Sequence, residues 1–85
     1  MKFSEHLQEG YQDIPENLIP VMKIALNADP GYPTRYEKTS DGKEHIDTNA
    51  RVINAADIAK ANTRLKRRTI NSISWNSNGL SFIIW

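Results

Sequence analysis

The chain has 85 residues, 39% apolar and 25% charged, with a formal net charge of +1 and no cysteine. That length suits one domain spanning residues 1–85, and the composition is that of an ordinary globular protein, not a disordered one. Disulfide scaffolds, thiolate zinc sites and cysteine nucleophiles are excluded, and no segment approaches the ~20 apolar residues that span a bilayer, so a soluble cytoplasmic protein without membrane contact is expected.

The near-neutral total hides an acidic front and a basic back. Residues 1–49 carry five cations against nine acids, a net of −4, whereas residues 50–85 carry six cations against Asp57, a net of +5. Four of those six fall within Arg64-Leu65-Lys66-Arg67-Arg68. Such asymmetry points to nucleic acid or to an acidic partner.

In chain order, Phe3, Leu7, Tyr11 and Ile14 recur at helical spacing, with Ser4 as a candidate cap and Pro15 as the stop. Leu18, Val21, Met22, Ala25 and Leu26 predict a second helix, which accommodates Pro20 only in its first turn. Asp29-Pro30-Gly31-Tyr32-Pro33 ends helical structure. Residues 34–48 read as an exposed hairpin about a two-residue Asp41-Gly42 turn, which sets Lys38 opposite His45, Glu37 opposite Ile46 and Tyr36 opposite Asp47. Neither face of that hairpin is clearly apolar.

The next segment predicts the longest helix, from Asn49 or Asn54 as cap to Arg68. Ala55, Ile58, Ala59, Ala61 and Leu65 share one face of it, and Lys60, Arg64, Arg67 and Arg68 form a stripe opposite. Finally, residues 69–85 predict a hairpin about Asn78-Gly79 that places Trp75 opposite Phe82 and Ile73 opposite Ile84 on one core-facing side. Trp75 and Trp85 are expected to be buried. Ile83 and Trp85 share the other, mostly polar face with Ser72, Ser74, Asn76 and Ser81. The fold expected is α+β: two N-terminal helices, an exposed hairpin, a long amphipathic helix and a C-terminal hairpin packed on the helices.

No motif of catalysis accompanies these elements. The four glycines are not arranged as a phosphate-cradling loop, and the C-terminal serines have no nucleophile signature. His45 and Asp47, two apart in a strand, point the same way, but two ligands do not make a metal site. Ala55–Lys60 followed by Arg67–Ile70 resembles a helix-turn-helix only superficially, because Arg64 falls where the turn glycine belongs. The expectation is therefore a non-enzymatic protein without cofactor or metal that contacts nucleic-acid phosphates through Lys60, Arg64, Arg67 and Arg68, assisted by Arg51 and Lys66. The competing expectation is a protein-interaction module, an inhibitor or adaptor of the kind phages and mobile elements encode, using Ile83 and Trp85. A homodimer through the edge of the C-terminal hairpin is a third.

Overall fold

The computed structural model describes Tyr11 and residues 14–85. The first expected helix lies outside the described residues except for Tyr11 and Ile14, both buried. A 3₁₀ turn (Glu16–Leu18) leads into helix α1 (Ile19–Ala25), and Pro20 falls in its first turn, where its missing N–H would have no partner in any case. Leu18, Val21, Met22, Ala25 and Leu26 are all buried, as their spacing predicts.

Four strands follow in two pairs: β1 (Pro33–Lys38) and β2 (Glu44–Thr48), then, after helix α2 (Ala55–Asn62), β3 (Ile70–Trp75) and β4 (Leu80–Ile84). They form one antiparallel sheet in the order β1-β2-β4-β3. The first hairpin is thus no separate exposed unit, because β2 is an interior strand paired with both β1 and β4. Among the described residues, two helices and a four-stranded antiparallel sheet make a small α+β fold. Among the described residues no helix is long and apolar enough to cross a membrane.

Alternation divides the sheet into two faces. Ile46, Leu80, Phe82 and Ile84 enter one cluster with Leu18, Val21 and Met22 from the α1 segment and with Ala61 of α2. Thr48 is buried among them, and its hydroxyl is satisfied by donating to the Leu80 carbonyl (2.8 Å) and accepting from the Ala50 N–H (3.2 Å). The opposite face carries Arg35, Glu37, His45, Asp47, Ser81 and Ile83. Arg35 pairs there with Glu37 (3.1 Å), and Ser81 donates to Asp47 (2.8 Å).

Both hairpin registers differ from the sequence expectation. Tyr36 lies opposite Ile46, Glu37 opposite His45 and Lys38 opposite Glu44, a one-residue slip that exchanges which residues share a face. A type I′ turn needs positive φ at both central residues, yet no described non-glycine residue has positive φ, while Gly42 has φ of 90°. The Gly42 N–H instead reaches the Thr39 carbonyl (3.0 Å) and the Thr39 N–H the Lys43 carbonyl (2.9 Å), the pattern of a three-residue loop closed by a glycine bulge. The slip gathers Tyr36, Ile46 and Thr48 on one face and so gives the hairpin a buried side.

In the second hairpin Ile73 lies opposite Phe82 and Trp75 opposite Leu80, a slip of two that preserves the faces. A four-residue loop, Asn76 to Gly79, replaces the two-residue turn. Its geometry is set by the Asn76 carboxamide, which accepts from the N–H groups of Asn78 (2.7 Å) and Gly79 (2.9 Å). The slip moves Trp75 to the end of the sheet, where it is 64% exposed.

Helix α2 begins where Asn54, not Asn49, caps it: the Asn54 side chain accepts from the Ala56 N–H (2.8 Å). Asn49 instead holds the Tyr32 N–H (2.7 Å). The helix ends at Asn62, six residues short of the expected Arg68. Successive N–H groups of Thr63, Arg64 and Leu65 bond three residues back, tightening the last turn, and the Asn62 side chain is occupied by the Ile70 N–H (2.8 Å). Continuing the helix would also stack Arg64 against Arg67 and Arg68 at the three- and four-residue spacings where like charges repel.

Candidate nucleic-acid interface

The shortened helix changes what the basic run can be. Lys60 alone lies on α2, in its last turn. Arg64, Lys66, Arg67 and Arg68 belong to the segment joining α2 to β3, so the expected four-cation helix stripe does not exist. With Leu65 and with Asn17 of the 3₁₀ turn, those four cations line an open cleft of about 550 Å³. Leu65 is buried and anchors the segment to the core, which holds its charged neighbours at the surface.

The four cations do not share one role. The Arg68 guanidinium is paired with the carboxylate of Glu44, whose side chain is only 5% exposed. Glu44 Oε2 accepts from the Tyr36 hydroxyl (2.7 Å), and among the described residues no donor other than Arg68 serves its Oε1. Burial pushes the Tyr36 phenol above its ordinary pKa, and the nearby Arg68 cation opposes that shift. Arg68 is therefore committed to compensating a buried charge. Arg64, Lys66 and Arg67 are exposed, as is Lys60, and none of these four has an ion-pair partner among the described residues.

Arg51 lies apart from this group. It precedes α2, which separates it from the cleft by about 12 Å of helix. Its backbone N–H donates to Asp29 (3.1 Å), and this bond, ahead of that from the Gly31 N–H, holds the Asp29 carboxyl below its ordinary pKa.

Trp85 is 44% exposed, contrary to the expectation of burial, and Ile83 is half-buried on the same open sheet face. Lys43 Nζ lies 4.5 Å from the centre of the Trp85 ring, a cation–π contact. Backbone bonds in both directions join Trp85 to Thr69 (3.1 and 3.2 Å), the residue directly after Arg68. The basic segment and the C-terminal aromatic residue thus meet at one end of the sheet. Sequence reasoning missed Glu44, Tyr36 and Lys43, because each reaches its partner only through strand pairing.

The segment after α2 enters a strand, so among the described residues no second helix completes a helix-turn-helix. Among them, too, no group of three histidine, aspartate or glutamate side chains is placed to hold a metal ion. Comparison with known protein families, with curated proteins and with solved structures finds no match to this chain.

Proposed function

We propose that this is a small, non-enzymatic cytoplasmic nucleic-acid-binding protein whose phosphate contacts are made by Lys60, Arg64, Lys66 and Arg67 around the cleft that follows α2. One observation carries the reading: three exposed cations without an ion-pair partner among the described residues line a single cleft, and a fourth stands one turn before it. Arg68 positions the segment by its bond to Glu44. Phosphate contacts carry no sequence information of their own, so affinity with little sequence preference follows.

Four phosphate contacts on duplex DNA release about 0.9 counterion each, so the logarithm of the association constant should fall with that of salt concentration with a slope of about −3 to −4. Fluorescence anisotropy across about 50 to 200 mM salt measures this. Arg64→Ala/Arg67→Ala should reduce the slope by about 2 while circular dichroism shows the fold retained. Absence of binding at low salt, or unchanged affinity in the double variant, refutes the reading.

A second reading, a protein-interaction module of the inhibitor or adaptor type, draws support from the exposed Trp85 beside Ile83 on the open sheet face. Recovery of one defined protein after nuclease treatment, abolished by Trp85→Ala, would favour it.

A further inference from the structure

We infer that the ligand of this surface is single-stranded nucleic acid, with Trp85 stacking on an unpaired base while Lys66 and Arg67 hold the adjoining phosphates. The inference rests on the phosphate-binding reading and adds the ligand's strandedness.

Three features lead to it. First, Trp85 is held in place and still accessible: its backbone is paired with Thr69, Lys43 sits at its ring, and the residue remains 44% exposed. Second, the basic segment runs into the backbone partner of Trp85. Arg67 and Arg68 lead straight into Thr69, which neighbours Trp85 across one backbone pair, about 5 Å in such ladders. Third, the two parts lie on different sides of the sheet. Arg68 reaches Glu44 on the core side, where the cleft opens beside Asn17, whereas Trp85 shares the open side with Ile83.

A ligand using both must bend over the end of the sheet within the width of one domain. A duplex, with a persistence length of about 150 base pairs, resists such a path and keeps its base faces stacked inside. A single strand follows it and offers unpaired bases to an aromatic ring flanked by cations. Elsewhere on the open face Glu37 and Asp47 stand beside Arg35, and at this end Asp41 pairs with Lys43 (4.0 Å), so the phosphates fall to the basic segment.

The test uses the Trp75→Phe protein, in which Trp85 is the sole tryptophan, titrated at low salt with oligo(dT), oligo(U) and a DNA duplex of equal length. Quenching of the emission by the single strands and not by the duplex is expected. Trp85→Ala should weaken single-strand binding about tenfold, leave duplex binding unchanged, and be largely rescued by Trp85→Phe. The two oligonucleotides separate DNA from RNA as the preferred strand. Equal binding of single strands and duplex with unchanged emission overturns this inference and leaves the phosphate reading standing. No binding to any of them removes both. Emission that answers only to a captured protein returns Trp85 to the protein-interaction reading and likewise overturns it.

Discussion

The two hairpins contain the same kind of signal, an acidic or amide residue followed by glycine, and use it in different ways. In β1–β2 Gly42 is needed for its backbone angle: φ is 90°, and nothing lies within 4 Å of the place a Cβ would occupy. In β3–β4 Gly79 is needed for its size. A Cβ there would meet the Ala50 carbonyl oxygen at 2.6 Å and backbone atoms of Thr48 and Asn49 at 2.8 Å, because the loop lies against the chain leaving β2. The first loop determines its own shape, whereas the second is shaped by docking. A dipeptide that marks a turn therefore does not by itself reveal the turn's length or register.

The largest test of this contrast is at the anchor of the first hairpin. Arg68→Ala leaves Glu44 buried without its cation and should destabilise the protein by about 3 kcal/mol in urea unfolding, while Arg68→Ala/Glu44→Gln should recover part of the loss. Equal stability of Arg68→Ala and wild type would show that β2 is not held by this pair. Next comes Gly79→Ala, for which the clash with fixed backbone predicts a loss of about 2 to 3 kcal/mol. Gly42→Ala should cost about 1 kcal/mol, through the backbone angle alone. A reversed ranking of these two glycines would sink the distinction drawn between the loops.

The smallest effect is electrostatic and confined to the first loop. The Asp41 carboxyl is held below its ordinary pKa, first by the Thr39 hydroxyl and then by the Lys43 N–H. Its folded-state value lies below the unfolded value of about 3.9, so its contribution is present above that pH and is lost as pH falls through the folded value. The stability difference between wild type and Asp41→Asn should accordingly be constant near neutrality and shrink on acidification below about pH 4. A difference independent of pH would assign the loop's order to Gly42 and the backbone bonds instead.

Local signals suffice where a short stretch settles the outcome. The α1 periodicity from Leu18 to Leu26 and the first-turn place of Pro20 depend on neighbours within a turn or two, whereas Asn49 and Asn54 are equally good caps by sequence and the structure chooses Asn54. The end of α2 is decided over a longer range. Asn62 and Thr63 are weak helix formers and the cations beyond them repel at helical spacing, yet what occupies the Asn62 side chain is the N–H of Ile70, eight residues away. For the candidate site, composition located the basic run, but nothing near Arg68 distinguishes it from Arg67. The difference is Glu44, brought opposite by the pairing of β2 with β4.

By itself, then, the sequence determined an α+β chain with a helix carrying Leu18 to Leu26 on its packed face, a second helix starting after Asn49 or Asn54, two hairpins and one concentrated patch of positive charge. These follow from periodicity, capping chemistry and turn residues, all of which act over a few residues. Only the tertiary structure decided that β2 would be interior, that the helix stripe would become a cleft-lining turn, and that one of its cations would be committed to a buried acid. It also placed Lys43 at the Trp85 ring and paired the backbone of Trp85 with Thr69, the residue after Arg68. Strand order and register couple residues far apart in the chain, and burial of one face of the sheet selects among registers that the turn sequences alone leave open.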